Sequence, residues 1–218
     1  MSTMFRPLLI MLLVSVLWAC SERRPPVGEQ VYPWQIEIND RGNSQVFGIE
    51  LDASSLRNAA QILGKRYELG LFENDEEKLS LEAYFGEVTL GGLSGKIIVL
   101  LEAEQSLLAS FRQNSVKRKR QDSGGIKYLL SYPDQQKAQQ LVVAGLSYVP
   151  YVQLEKAIII KRFGEPDQVV SSADKLNHYL YPAKGLDLIQ DDEGKELLQY
   201  VSPRNMRRLL EPLEISSH

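Results

Sequence analysis

Two spacings of apolar residues, every second position and every third or fourth, alternate along the chain and divide it into segments. VYPWQIEI (31–38) and SQVFGIEL (44–51) carry the aromatic and β-branched residues of strands and flank NDRGN, a string of turn formers, so a hairpin is predicted. Leu56, Ala59, Ala60 and Leu63 then share one helical face behind Ser54 or Ser55, either of which can cap, and Gly64 supplies the stop. A strand follows over Glu68 to Phe72, then the acidic loop ENDEEK, the alternating run LSLEAYFGEVTL, the break GGLSG and the strand KIIVLLEA. A helix is predicted from Glu104 to about Arg120.

The second half repeats this order. Gln153 to Phe163 reads as a helix, with Ile159, Ile160 and Phe163 spaced like Ala59, Ala60 and Leu63, and Gly164 ends it as Gly64 ends the first. Gly95-Lys96 returns as Gly194-Lys195, Leu81-x-x-Tyr84 as Leu176-x-x-Tyr179, and KIIVLLEA as KELLQYVS, a period near one hundred residues. A final helix is predicted from Pro203 to about Leu213, with Ser202 as cap and Pro203 in the first turn. Order and spacing together point to duplication of one supersecondary unit. The predicted class is α+β: two related units, 31–120 and 121–218, each with helices packed on a short antiparallel β-meander.

The string Ile160-Lys-Arg-Phe-Gly164-Glu165-Pro166-Asp167, followed by HYLYPAKGLDLIQDDEGKELLQYV, resembles the modules of the BamE or SmpA type of outer-membrane lipoprotein and of the β-lactamase inhibitor protein. That resemblance covers about 50 residues well and a similar length of the first half loosely, where Gly64-Lys65-Arg66 lacks the proline. It implies a helix ending in a Gly-x-Pro turn over a meander, and a role in protein interaction.

Ahead of these units lies LLIMLLVSVLWAC, with Arg6 before it and Ser21, Glu22, Arg23 and Arg24 directly after it. A positive start, about ten apolar residues and a small residue before the cut are the parts of a secretory signal, predicted over 1–19. The run is short of the roughly 20 residues that span a bilayer. Leu17-Trp18-Ala19-Cys20 resembles the lipobox of bacterial lipoproteins, which implies cleavage before Cys20, a diacylglyceryl group on its thiol and acylation of its amino group. Ser21, where an Asp would retain the protein, implies the periplasmic face of the outer membrane. Residues 20–30, polar with a Pro-Pro pair, read as a tether.

Composition then narrows the chemistry. Cys20 is the single cysteine, so no disulfide and no cysteine zinc site is expected. The two histidines are His178, in the predicted strand LNHYLY, and His218, the last residue; a packed or solvent-facing strand position is expected for His178. No nucleophile elbow, zinc helix or phosphate loop is present, and Asp191-Asp192-Glu193-Gly194 reads as a hairpin turn. No catalytic residue, metal or cofactor is therefore expected. Lys117, Arg118, Lys119 and Arg120, with Arg112 before them, form the largest cluster of one sign, in a chain whose net charge is -3. Nucleic acid is not an expected partner for an exported, net-acidic chain. A helix C-terminus favours such residues; the other reading is contact with an anionic surface. Tyr128, Tyr132, Tyr148, Tyr151, Tyr179 and Tyr181 are core, sheet or partner-binding residues. The expected function is a non-catalytic envelope lipoprotein that binds membrane through acylated Cys20 and an envelope protein through its folded part. The alternatives are an envelope hydrolase using carboxylates such as Glu82, Glu87 or Asp187, and a carrier of small apolar ligands.

Overall fold

A computed structural model describes residues 31–215, apart from 123, 173, 174, 192 and 194. The signal predicted over 1–19, the tether over 20–30, Cys20 and His218 lie outside the described residues. Three short strands, β1 (Ile36–Ile38), β2 (Ser44–Val46) and β3 (Ile49–Glu50), form a small antiparallel sheet. Ten further strands are β4 (Glu68–Glu73), β5 (Leu79–Leu90), β6 (Leu93–Leu101), β7 (Lys117–Arg120), β8 (Ile126–Leu129), β9 (Val143–Pro150), β10 (Gln168–Ser171), β11 (Asn177–Tyr181), β12 (Leu186–Gln190) and β13 (Glu196–Val201). All ten make one sheet in the order β10-β11-β12-β13-β9-β6-β5-β4-β8-β7, antiparallel throughout. The helices are α1 (Leu56–Leu63), α2 (Gln105–Gln113), α3 (Tyr132–Ala138), α4 (Lys156–Phe163) and α5 (Arg207–Ile215).

This corrects the predicted class. Strand outweighs helix in the described chain, its α-helices are nine residues or shorter, and ten of its strands share one sheet, where helices packed on two separate short meanders were expected. The reason is an edge-to-edge join. β6, the last strand of the first meander, pairs with β9 from Gly95↔Pro150 to Leu101↔Val143, and β9 pairs on its other side with β13. Backbone N–H and C=O groups that each meander would leave at an open edge are satisfied by the other half. The second difference is local. α2 stops at Gln113, and Lys117–Arg120, predicted as helix, is strand β7. Residue 120, the predicted boundary between units, is the last residue of β7, which pairs across a turn with β8.

Alternation builds the two faces of the sheet. Leu71, Leu81, Ala83, Phe85, Ile97, Val99, Leu146, Tyr148, Leu188, Leu198 and Tyr200 point inward, and α1, α2, α4 and the small sheet close over them in one core. α1 starts as predicted: Ser55 Oγ accepts from Asn58 N at 3.2 Å while Asn58 Oδ1 accepts from Ser55 N at 3.1 Å, a reciprocal cap that stabilises by about 1 kcal/mol. Leu56, Ala59, Ala60 and Leu63 are its buried stripe. On the outer face α5 packs over one end, with Leu209, Leu210 and Leu213 against Leu180, Val201 and Met206.

One loop geometry recurs in five hairpins of the described chain. Asn39, Asn74, Gln121, Ser172 and Asp191 each follow a strand and donate their backbone N–H to the carbonyl four residues on, at 2.9–3.2 Å. In the first four of these loops the fourth residue is held at positive φ, 76° at Gly42, 61° at Glu77, 93° at Gly124 and 60° at Lys175. Where the first residue is Asn or Asp its side chain completes the turn: Asp191 Oδ1 accepts from Glu193 N and Lys195 N at 2.9 and 2.8 Å. Asn74 and Asn39 repeat that arrangement. The two acidic strings in the sequence are thus turns.

Candidate functional site

β7 closes one edge of the large sheet, and all four of its residues are exposed. Its register with β8 is Lys117↔Leu129, Arg118↔Tyr128, Lys119↔Lys127 and Arg120↔Ile126. Since side chains alternate, Lys117 and Lys119 share the outer face with Lys127 and Leu129, and Arg118 and Arg120 lie on the side of Tyr128. Lys119 stands directly opposite Lys127, an arrangement of like charges that costs stability. Among the described residues none of the four makes an ion pair. Arg112 behaves differently: its guanidinium donates to Glu73 Oε2 at 2.8 Å, and the same oxygen accepts from the Tyr128 hydroxyl at 3.2 Å. Burial first, and then the Glu73 charge, raises the Tyr128 pKa and keeps that hydroxyl a neutral donor. The structure therefore separates the predicted basic set into one internal partner and four free cations.

Beside the edge, the outer face carries a shallow recess of about 210 Å³ lined by Glu68, Gly70, Phe72, Glu82, Tyr84 and Lys127, among others. Lys127 Nζ sits 3.5 Å from Glu68 and 5.6 Å from the centre of the Phe72 ring. Gly70 makes that packing possible, since a Cβ there would lie 2.7 Å from Phe72 and 2.9 Å from the Lys127 stem. Burial raises the Glu82 pKa, with the Lys127 charge opposing.

The candidate carboxylates do not converge. Glu82 is on β5 and Asp187 on β12, four strand steps or roughly 19 Å apart, and Glu87 is exposed farther along β5, beyond a bulge. Asp187 has one close partner: its Oδ2 lies 2.8 Å from His178 Nδ1, both side chains being buried. They sit on the outer face, which they share with Leu180 beneath α5. Burial raises the Asp187 pKa and the His178 hydrogen bond opposes the shift; Oδ1 has no partner among the described residues. His178 is thus a packed strand residue, held in orientation by one carboxylate and closed to solvent. Among the described residues no group of three or more His, Cys, Asp or Glu is placed to hold a metal ion.

Four of the six tyrosines singled out in the sequence, Tyr128, Tyr148, Tyr179 and Tyr181, are buried, and Tyr132 and Tyr151 are exposed. Sequence reasoning missed Val116, 65% exposed, and Leu129, 43% exposed, and did not set Tyr132, 73% exposed, beside the basic strand. The available signal was Val116, an apolar residue directly before the KRKR run; Leu129 and Tyr132 are brought beside it by the β7–β8 pairing. Comparison of the chain with protein-family models, with curated proteins and with solved structures found no match.

Proposed function

We propose that this is an envelope lipoprotein, held on the periplasmic face of the outer membrane by acylated Cys20, whose folded part binds another envelope protein and supports its assembly without catalysing a reaction. One observation carries the reading: among the described residues, the outer face of the sheet over β5, β6 and β9 has no helix on it comparable to the cover of the inner face. Tyr84 is 38% exposed there, and Ile98, Leu100 and Val149 are half-buried beside it. A wide, slightly polar sheet face with an aromatic anchor suits a protein partner. The lipobox-like Leu17-Trp18-Ala19-Cys20 supports the anchor.

The test is site-specific photocrosslinking in intact cells. A photoreactive residue at position 84 is expected to capture a discrete envelope protein, while the same residue at position 62, on the exposed side of α1, captures none. Equal patterns at both positions, or none at 84, overturn the reading. Palmitate labelling that persists in Cys20→Ser would remove the anchor from it.

A further inference from the structure

Resting on the lipid-anchored reading, we infer that the β7–β8 hairpin is a membrane-contact edge that lies on anionic phospholipid headgroups. Lys117, Arg118, Lys119 and Arg120 are exposed at the end of the sheet and lack acidic partners among the described residues. Lys119 faces Lys127 at the cost of repulsion that an anionic surface would relieve. Lysine on an edge strand also blocks edge-to-edge association, and that role alone would account for the charge. It does not account for what stands next to the charge. Val116, Leu129 and Tyr132 are the exposed apolar and aromatic residues at the end of the hairpin away from its turn, and Val116 N donates to Leu129 O at 2.9 Å, which ties the two together. An edge built solely to repel other strands gains nothing from exposed Val, Leu and Tyr, whereas cations flanking a small apolar fringe are the composition of an interfacial membrane contact. The step from Cys20 to Val31 is eleven residues, which extends to at most about 40 Å.

Each basic side chain near an anionic leaflet multiplies partitioning by roughly fivefold, so even two of the four give more than tenfold. The experiment uses residues 20–218 with Cys20→Ser, the chain left by the predicted cleavage, so that neither acylation nor the apolar signal masks the edge. Partitioning is measured onto vesicles of phosphatidylcholine alone and of phosphatidylcholine with about 30 mol % phosphatidylglycerol, at about 0.1 M and about 0.5 M salt. The expected result is an anionic preference of about tenfold or more at low salt that collapses at high salt. In the fourfold variant K117Q/R118Q/K119Q/R120Q the preference falls to about twofold or less. V116S/L129T/Y132S lowers binding to both vesicle types and leaves their ratio unchanged. No anionic preference in the starting chain, or one that survives in the fourfold variant, overturns the proposal. So does a soluble polyglutamate that binds the chain when anionic vesicles do not, because the partner would then be an acidic protein. A fourfold variant that aggregates while its soluble fraction keeps the preference leaves only edge protection, which also overturns it. The salt dependence of the unmutated edge decides the question if that variant does not fold. None of these readouts depends on crosslinking at position 84, so the two proposals fail separately.

Discussion

Glu77 and Lys175 occupy the left-handed position that Gly42 and Gly124 fill in sister hairpins, and a side chain there costs roughly 1–2 kcal/mol. Glu77→Gly and Lys175→Gly are each expected to stabilise by about 0.5–1 kcal/mol after the greater unfolded-chain freedom of glycine is subtracted; urea denaturation measures the gain. Ser172, whose Oγ is buried without a partner among the described residues, stands where Asn74 and Asp191 complete their turns. Gly185 shows the opposite constraint. A Cβ at that residue would sit 1.9 Å from the Val201 carbonyl oxygen, whose residue also donates its N–H to Gly185 O at 2.9 Å. Gly185→Ala must push β12 and β13 apart and is expected to cost about 3 kcal/mol or more, seen as a drop in Tm. Asp187 makes a prediction about pH. With its folded-state pKa raised by burial, the native state binds the proton more tightly than the unfolded chain. Its contribution to stability is therefore complete below the ordinary carboxylate range and is lost as pH rises through the raised value. Asp187→Asn keeps the shape and removes the titration, so the fall in Tm between about pH 4 and about pH 7 should shrink in the variant. An unchanged pH profile would refute the assignment.

At the scale of elements, α5 is the cover whose removal is most informative, because among the described residues it is the helix packed on the outer face. Leu210→Ala, at a half-buried position against Leu180 and Val201, is expected to cost about 1–2 kcal/mol, measured by the denaturant midpoint. A loss confined to β10–β13 would show in hydrogen exchange as selective deprotection of those strands. The elements legible in the sequence were those governed by local rules: α1 with its Ser55 cap, the stops at Gly64 and Gly164, and the β5–β6 hairpin around GGLSG. The basic run escaped because it has no apolar periodicity to mark it as strand, and the preceding QSLLASFRQ pattern invited extension of the helix. α3 and β9 were not read at all, although VVAGLSYV carries β-branched and aromatic residues. Of the candidate site, the charge of Lys117–Arg120 was legible. Its position on a sheet edge, and the tie of Arg112 to Glu73, depend on residues distant in sequence and were not.

The whole molecule is organised by the β6–β9 join, which local patterns do not encode, since any strand edge can pair with any other of suitable twist. Two meanders of similar order share one sheet, so heating is expected to give one transition with equal calorimetric and van't Hoff enthalpies. Two separated transitions would show that the halves melt independently despite the shared register. The join also sets a condition on how the chain is made. β6 is complete at Leu101, yet β9, its partner on the open side, ends only at Pro150. On any route that delivers the chain from its N-terminus, the run LSGKIIVLL stands without that partner until Pro150 has followed it. It is rich in β-branched and aliphatic residues, and Lys96 is its one charge. Lys96 thus acts as a gatekeeper for the nascent chain, and the period before β9 arrives is the time in which a holding chaperone has most to protect.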